Sequence, residues 1–457
     1  MLLEAVTFAA NFKNQYIMPG YTVAIVGRPN VGKSTLFNRL LEQRKAIVDD
    51  ESGVTRDRQY GVADWNGKQF NLIDTGGFVS SSDDIFEIEI KKQVIIALDE
   101  ADLLIFVVDT LTGITGQDED MAQLLRRGNK PVMLVVNKVD NPQRALMANE
   151  FYGLGFDHTF FVSSIAGSGT GDLLDQITSY IPTPEIPLDA EAIDENVVPK
   201  FAIIGQPNAG KSTLLNALVG QERTIVSDIA GTTRDTIHTH YNLFNRDFIL
   251  IDTAGIRKKK NVHEDLEFYS VIRAIRAMDE ADVCMLLIDA EKGFTAQDVS
   301  IFALAAKKGK GIVLLVNKWD LVVKETNTAR DYEKALKHKI APFTDVPVIF
   351  ISATEKQRIF QGMEKAIEVF ENRRRRIGTS HLNDVMGKEI ERFPPPLMRG
   401  HSVKIKYVSQ VPTPVPAFAF YTNHPDAIKE QYRNFLENKL RSHFNFSGVP
   451  VRIFFRK

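Results

Sequence analysis

Two glycine-rich segments of the chain place a lysine and a hydroxyl residue at the start of a helical pattern. Residues 27–34 and 205–212 both read Gly-x-x-x-x-Gly-Lys-Ser, and each follows a short apolar stretch that predicts a strand. In this context the glycines let backbone N–H groups turn toward phosphate oxygens, and the helix N-terminus adds its positive dipole end. We expect the lysines to reach the terminal phosphates of a nucleotide and the hydroxyls to ligate Mg²⁺: Lys33 and Ser34 in the first segment, Lys211 and Ser212 in the second.

The rest of each loop is expected to surround the phosphates with its backbone. The residues concerned are Gly27, Arg28, Pro29, Asn30, Val31 and Gly32, and then Gly205, Gln206, Pro207, Asn208, Ala209 and Gly210. A single match to this motif has an ordinary glycine turn as its alternative. Two matches in equivalent places leave that alternative with little weight.

An aspartate ends a further apolar stretch in each half of the chain. Asp74 follows residues 70–73, and Asp252 follows residues 248–251. A carboxylate at this place fits the Mg²⁺ side of the site, and the glycine three positions later can offer its N–H to the γ-phosphate. The segments expected at the nucleotide are Asp74, Thr75, Gly76, Gly77 and Phe78, and Asp252, Thr253, Ala254, Gly255 and Ile256.

A threonine lies in a loop between these two motifs in each half, at Thr55 and Thr233. Such a threonine can order a switch loop by binding Mg²⁺ only when GTP is present. Position alone carries this assignment, because most loop threonines have no such role.

A third motif selects the base. The tetrapeptides Asn-Lys-Val-Asp (residues 137–140) and Asn-Lys-Trp-Asp (residues 317–320) each follow an apolar strand pattern. Their aspartate can accept from guanine N1–H and the 2-amino group, whereas adenine would leave a buried carboxylate facing an acceptor. The asparagine can bond N7 and brace the loop, and the lysine stem can lie over the base. Residues expected at the base are Asn137, Lys138, Val139 and Asp140 with Ser163 and Ser164, and Asn317, Lys318, Trp319 and Asp320 with Ser352 and Ala353, whose backbone N–H groups face guanine O6.

The motifs recur in register, which indicates two duplicated domains. Gly27 recurs as Gly205 at an offset of 178, and Asn137 recurs as Asn317 at an offset of 180. Apolar runs at residues 103–108, 132–136, 283–288 and 312–316 read as buried parallel strands between helices, so each copy is predicted as a mostly parallel α/β sheet covered on both faces. The predicted bounds are an extension (1–18), a first G domain (19–183), an acidic linker (184–199), a second G domain (200–372) and a small α+β domain (373–457).

Composition excludes several classes of protein. No apolar stretch is long enough for a transmembrane helix, and Glu4 with no preceding basic region argues against a signal peptide. The lone cysteine, Cys284, allows no internal disulfide and reads as buried filler. The net charge of −2 hides an asymmetry, since residues 371–457 carry 16 basic and 7 acidic side chains. That basic tail points to an anionic partner.

These motifs and their tandem order resemble the bacterial double-Era-like GTPases, the Der or EngA family, over nearly the whole chain from Pro19 to Lys457. The resemblance implies two P-loop G domains and a KH-like C-terminal domain, with GTP or GDP and Mg²⁺ as ligands. It also implies a cytoplasmic, monomeric factor that assembles the large ribosomal subunit and contacts its RNA.

The expected catalytic groups are unusual, because the position after Asp-x-x-Gly holds Phe78 or Ile256 where a Ras-like enzyme has glutamine. Asn30 and Asn208 match the asparagine with which relatives hold K⁺, and that ion could supply charge near the phosphates. The alternative is that these asparagines only brace the loop. The groups assigned to catalysis are Lys33, Thr55 and Gly77, and Lys211, Thr233 and Gly255.

The C-terminal region predicts three strands (403–408, 417–421 and 451–455) and a helix (427–444). It lacks the Gly-x-x-Gly of an RNA-gripping KH domain, since Gly448 is the only glycine after residue 400. The four arginines at residues 373–376 are read either as phosphate contacts or as a solvated helix end. Two functions stay open: a GTP-hydrolysing assembly factor, and a nucleotide-regulated scaffold with negligible hydrolysis. A third, an Era-like membrane-associated GTPase, is disfavoured because the sequence has no long amphipathic basic helix.

Overall fold

The computed structural model describes residues 21–42, 60–66, 68–75, 94–95, 97–98, 101–182, 197–219, 227–229, 237–243, 246–252, 267–396 and 402–457. The chain divides into two units. The first consists of Met1–Glu195 and His263–Arg276, and the second consists of Asn196–Val262 and Ala277–Lys457. The predicted N-terminal extension, the loops of Thr55 and Thr233 and most of the linker lie outside the described residues.

The first unit is built on a six-stranded sheet in the order β2-β3-β1-β4-β5-β6. Only β2 runs antiparallel to its neighbour. The strands are β1 (Thr22–Val26), β2 (Tyr60–Trp65), β3 (Lys68–Asp74), β4 (Leu103–Asp109), β5 (Val132–Asn137) and β6 (His158–Phe161). The helices are α1 (Lys33–Glu42), α2 (Gly116–Arg127), α3 (Pro142–Met147) and α4 (Thr170–Tyr180), with a 3-10 helix at Ala148–Leu154.

The second unit repeats this plan in a seven-stranded sheet ordered β13-β12-β11-β7-β10-β9-β8. Its strands are β7 (Lys200–Gly205), β8 (Ser227–Ile229), β9 (Ile237–Leu243), β10 (Arg246–Asp252), β11 (Val283–Asp289), β12 (Gly311–Asn317) and β13 (Val348–Phe350). Its described helices are α5 (Lys211–Val219), α7 (Ala296–Lys307), α8 (Thr328–Lys339) and α9 (Ile359–Arg374). Helix α6 (Glu267–Glu280) precedes β11, and its residues up to Arg276 are assigned to the first unit. No helix among the described residues is long and apolar enough to span a membrane.

The four predicted apolar runs form β4, β5, β11 and β12, and these pair in parallel as expected. All seven residues of β4 and of β11 are buried, because helices cover both faces of a parallel sheet. Cys284 on β11 is fully buried, and burial raises the pKa of its thiol to about 12, so it is the predicted core filler. Because parallel strands end at one edge of the sheet, the motif loops gather there.

The C-terminal region is a three-stranded sheet backed by two helices. Strands β14 (Ile405–Val411), β15 (Ala417–Thr422) and β16 (Arg452–Arg456) pair antiparallel and then parallel, and the helices are α10 (Thr379–Arg392) and α11 (Glu430–His443). The predicted strands and helix are present, although β14 runs on to Val411. The prediction missed α10, which buries Leu382 and Met386 in this core.

A backbone joint attaches this region to the second G domain. Gly448 donates its N–H to Asp345 O at 2.8 Å and accepts at its carbonyl from Ile312 N at 2.7 Å. Its φ is +76°, and a Cβ there would lie 2.5 Å from Val369 Cγ2, so the position requires glycine. The glycine that could not belong to a Gly-x-x-Gly motif therefore holds two domains together.

The two ends of the arginine run belong to this joint, and the interpretation as a solvated helix end is wrong for Arg373. Arg373 is one-tenth exposed, pairs with Asp282 at 2.9 Å, and has its pKa lowered by burial. Arg376 donates to the carbonyls of Val411 and Thr413 at 3.1 and 2.9 Å. These guanidinium groups donate to carbonyl and carboxylate oxygens within the unit, and Arg376 is exposed to solvent as well.

Candidate nucleotide-binding sites

The first phosphate loop joins β1 to α1 and is held open by unusual backbone angles. Gly27 and Gly32 have φ of +150° and +96°, and Asn30 lies in the left-handed region at +62°. Lys33 folds back so that its Nζ donates to Gly27 O and Arg28 O, at 2.8 Å each. Desolvation lowers the pKa of Lys33 to about 8. The amine thus lies at the centre of the loop, and the oxygens of a phosphate could replace these two carbonyls as its hydrogen-bond acceptors.

The second phosphate loop, between β7 and α5, repeats this geometry in the other unit. Lys211 Nζ donates to Gly205 O at 3.0 Å and to Gln206 O at 2.7 Å. Asn208 has φ of +64° and Gly210 of +99°. The two loops, which share glycine, proline, asparagine and lysine at equivalent positions, have therefore adopted one conformation.

The asparagine of each base motif braces the phosphate loop beside it. Asn137 Nδ2 donates to Val31 O at 2.9 Å, and Asn317 Nδ2 donates to Ala209 O at 2.8 Å. A Cβ on Gly32 would lie 2.3 Å from Asn137 Nδ2, so only glycine admits this contact. The bracing role expected from the sequence is present in both units.

The oxygen groups expected at Mg²⁺ meet in the first unit. Ser34 Oγ donates to Asp74 Oδ2 at 2.5 Å, and Asp74 is 2% exposed. Thr75 turns its hydroxyl to Ile25 O at 2.8 Å, which ties the end of β3 to β1. In the second unit Asp252 ends β10, as the pattern predicts.

Several expected site residues lie outside the described part of the chain. These are Thr55, Gly76, Gly77 and Phe78 in the first repeat, and Thr233, Thr253, Ala254, Gly255 and Ile256 in the second. Their assignments stay predictions.

The base-reading loops follow β5 and β12. Asp140 accepts from Ser163 Oγ and from the guanidinium of Arg144, which lies in the first turn of α3. Asp320 is exposed. Each loop is hydrogen-bonded to the residue that follows the next strand. Val139 N donates to Val162 O, after β6, at 3.0 Å, and Trp319 N donates to Ile351 O, after β13, at 3.1 Å.

The expected donors to guanine O6 have another acceptor in this structure. Ser164 N donates to Asn137 Oδ1 at 3.0 Å, and Ala353 N donates to Asn317 Oδ1 at 2.9 Å. Ser164 stands where the second unit has Ala353. It makes the same backbone contact, and its hydroxyl donates a second hydrogen bond of 2.8 Å to Asn137 Oδ1.

Comparison with known proteins agrees with this geometry. A family model described as 50S ribosome-binding GTPase matches residues 22–138 and again residues 200–318. A second, described as KH-domain-like of EngA bacterial GTPase enzymes, C-terminal, matches residues 376–456. The chain is 58% identical to GTPase Der of Christiangramia forsetii over 438 residues, which are 96% of this chain and 100% of that protein. The chain belongs to the Der family of GTPases.

Other Der proteins are similar along their whole length. GTPase Der of Flavobacterium johnsoniae is 58% identical over 435 residues (95% of this chain, 99% of that protein), and that of Porphyromonas gingivalis is 52% identical over 439 residues (96% and 100%). Among solved structures, Era of Aquifex aeolicus bound to GDP·AlF4⁻ is 21% identical with a TM-score of 0.30, covering 57% of this chain and 92% of that one. As a Der-family member, the chain is a GTP-hydrolysing enzyme with two tandem G domains.

Two sets of polar residues around the Der sites escaped the sequence reasoning. Asp109 and Asp289 end β4 and β11, and each accepts from the base-motif lysine, Lys138 or Lys318, at 2.6 Å. The Gly-x-Thr-x-Gln-Asp segments at residues 113–118 and 293–298 form capping boxes at the starts of α2 and α7. Both sets recur at the offset of 180 that relates the base motifs, and that repetition was the available signal.

Proposed function

We propose that each G domain binds one guanine nucleotide in its own set of loops and hydrolyses GTP there. The observation that supports this is an arrangement found in both phosphate loops. In each, the lysine Nζ donates to two carbonyls of the loop, and the amide of the base-motif asparagine donates to a third. When the nucleotide binds, phosphate oxygens replace the loop carbonyls as acceptors of the lysine's hydrogen bonds. Asp140 and Asp320 accept from the N1–H and 2-amino group of guanine. The residues assigned to each site are those named from the sequence, including those outside the described part.

The described residues of the first site suit Mg²⁺. A hydroxyl and a buried carboxylate, Ser34 and Asp74, present neighbouring oxygens, and Mg²⁺ takes hard oxygen ligands. We assign Ser34, Asp74 and Thr55 to the ion in the first domain, and Ser212, Asp252 and Thr233 in the second. When bound, Mg²⁺ neutralises charge on the β- and γ-phosphates.

We further propose K⁺ as an activator of hydrolysis. Phe78 and Ile256 cannot orient water, so the charge that builds up on the phosphates needs another source. Asn30 and Asn208 lie at the tips of the phosphate loops with exposed side chains and matching left-handed backbones, which suits a shared role as K⁺ ligands.

Single-turnover hydrolysis in KCl and NaCl at equal ionic strength tests this proposal. We expect faster hydrolysis in KCl, and we expect Asn30→Ala together with Asn208→Ala to remove the difference while GDP binding persists. Equal rates in the two salts would remove K⁺ from the mechanism and leave two nucleotide sites intact.

We propose that the enzyme works in the bacterial cytoplasm as a monomeric, nucleotide-switched factor in assembly of the large ribosomal subunit. The description of the family that matches both G domains, 50S ribosome-binding GTPase, supports this, as does the basic C-terminal region. Its exposed cations, such as Lys404, Lys406 and Arg433, are available for RNA phosphates, whereas Arg373 is held in the joint.

Co-sedimentation with separated ribosomal subunits tests the ribosomal role. We expect the chain to pellet with the large subunit in a non-hydrolysable GTP analogue more than in GDP. Binding should weaken with salt, by a log–log slope of about −0.7 to −0.9 per phosphate contact. Lys404→Ala with Lys406→Ala should flatten that slope without altering GTP affinity. Binding to neither subunit under either nucleotide would contradict the role.

A further inference from the structure

The second residue of the first phosphate loop bonds through its side chain to the helix after the neighbouring strand. Arg28 Nε donates to both carboxylate oxygens of Asp118 at 3.1 Å, and its Nη2 donates to Thr112 Oγ1. Asp118, on the first turn of α2, is 1% exposed. It also accepts from the N–H and the hydroxyl of Thr115 at 3.1 and 2.7 Å, which closes the capping box. A buried carboxylate thus has its charge balanced by an arginine of the loop.

The second phosphate loop makes the same connection with a neutral side chain. Gln206 Nε2 donates to Asp298 Oδ2 at 2.9 Å and to Thr295 Oγ1. Asp298 is 2% exposed on the first turn of α7 and accepts from Thr295 N and Oγ1 at 3.0 and 2.9 Å. Burial raises the pKa of Asp298, and its hydrogen bonds oppose that rise. We call the two contacts, Arg28–Asp118 and Gln206–Asp298, the loop clamps.

Each clamp residue is fixed on its backbone as well. The carbonyl of Arg28 accepts from Lys33 Nζ, the group assigned to the phosphates. The preceding Gly27 lies so close to β4 that a Cβ would meet Val107 O at 2.4 Å. The second loop repeats this through Gln206 O, Lys211, Gly205 and Leu287 O. The same residue thus bonds to the neighbouring helix through its side chain and to the phosphate-binding lysine through its carbonyl.

We propose that the loop clamps are positioning devices that set how slowly each phosphate loop releases its nucleotide, with an ionic clamp in the first domain and a neutral one in the second. The proposal rests on the assignment of these loops to the phosphates. A loop already anchored to a helix loses less freedom when it closes on a ligand. A charge-assisted hydrogen bond from arginine to a buried carboxylate anchors more firmly than a hydrogen bond from a neutral amide to the same group. The two sites of one chain thereby differ in their hold on GDP.

The first test measures release of fluorescent GDP from the full chain carrying Lys211→Ala, so that only the first site is occupied. Arg28→Ala should speed release about tenfold, because it removes charge-assisted bonds to a buried carboxylate. Arg28→Gln should give an intermediate rate, since it installs the partner that the second domain uses. Arg127→Ala, at an exposed position in the last turn of α2, is the matched control and should match the wild type.

The reciprocal test places Gln206→Arg in the full chain carrying Lys33→Ala. Release of GDP from the second site should slow severalfold, because the new guanidinium can donate a charge-assisted hydrogen bond to the carboxylate of Asp298. A double-mutant cycle of Arg28→Ala and Asp118→Asn should be less than additive in the release rate.

Two outcomes would overturn the loop clamps. One is an unchanged release rate in Arg28→Ala and in Gln206→Arg. The other is equal acceleration by Arg28→Ala and Arg28→Gln with a matching fall in melting temperature, which marks a purely structural role. Failure of the site assignment itself looks different, since Lys33→Ala would then leave GDP binding at the first site intact.

Discussion

At the scale of single residues, the lysine of each base motif is held by an aspartate of the neighbouring strand. Lys138 and Lys318 have φ of +68° and +60°, a conformation that non-glycine residues adopt at a cost. Their salt bridges to Asp109 and Asp289, both 2.6 Å, hold the lysines in that conformation. The stems are thereby placed in advance of the base that they are proposed to cover.

Asp140→Asn and Asp320→Asn are expected to move base preference from guanine toward xanthine. The new amide can donate to the carbonyl that xanthine carries in place of the 2-amino group, and it leaves guanine poorly paired. We expect GDP affinity at the altered site to fall about 100-fold. Competition between GDP and XDP in the full chain, with the other site disabled through its phosphate-loop lysine, measures this. Unchanged GDP affinity would show that residues other than Asp140 and Asp320 recognise the base.

Lys310 predicts a pH dependence of stability. Its Nζ donates to Asp279 O and Ala281 O at 2.8 Å, and burial lowers its pKa from 10.5 to about 8. Between these values the unfolded chain keeps a proton that the folded chain has lost, so stability rises with pH, by up to about 1.4 kcal/mol per unit. The folded protein bears the full cost of the buried charge below pH 8.

Denaturant unfolding of Lys310→Met at pH 7 to 10 checks this prediction. The wild type should gain stability relative to the variant as pH rises above 8. Lys334→Met, which changes an exposed lysine of α8, should follow the wild type at every pH. Parallel curves for wild type and Lys310→Met would contradict the inferred titration.

At the scale of elements, the arginines and Gly448 show how α9, β12 and the C-terminal sheet are joined. The guanidinium groups of Arg373 and Arg376 and the peptide of Gly448 satisfy oxygen and nitrogen atoms on both sides of the joint. An unpaired polar group in such a place would be destabilising, so the pairing makes the joint specific.

Gly448→Ala is expected to destabilise this joint. A left-handed backbone costs a non-glycine residue about 1–2 kcal/mol. The added methyl would also lie 2.8 Å from Ile312 O, so that neighbours must shift. Thermal unfolding and limited proteolysis of the full chain measure the effect. Gly387→Ala, within α10 and with no atom within 4 Å of its Cβ position, is the control and should be neutral or stabilising. Equal stability of the two variants would contradict the inference that Gly448 stabilises the joint.

At the scale of the whole molecule, duplication gives one chain two sites with the same phosphate-loop floor and different surroundings. The first has Arg28 and Arg144 at its phosphate and base loops, where the second has Gln206 and Lys324. Equal occupancy with unequal release is the expected behaviour of such a pair.

Calorimetry with GDP should therefore give two sites per chain in nucleotide-free protein. Lys33→Ala and Lys211→Ala should each remove one site, because each deletes the cation at the centre of one phosphate loop. The double variant should bind no GDP. A stoichiometry of one in the wild type, or no change in either variant, would contradict the duplicated sites.

The sequence by itself determined the parts of the molecule that depend on local order. Glycine spacing produced the loop conformations of residues 27–32 and 205–210, and continuous apolar runs produced β4, β5, β11 and β12. These features need only neighbouring residues, and the repeat confirmed them by presenting each motif twice. The family resemblance rested on the same motifs, and similarity along nearly the whole chain confirms it.

Only the tertiary structure decided which distant residues meet. Arg28 and Asp118 are 90 positions apart, and Gln206 and Asp298 are 92 apart, so their contacts depend on strand order and helix placement. The sequence showed Arg373 and Arg376 only as part of a charged run, because their acceptors lie elsewhere in the chain: Asp282 for Arg373, and Val411 and Thr413 for Arg376. A charge pattern is local, but its burial is set by the domain that packs against it.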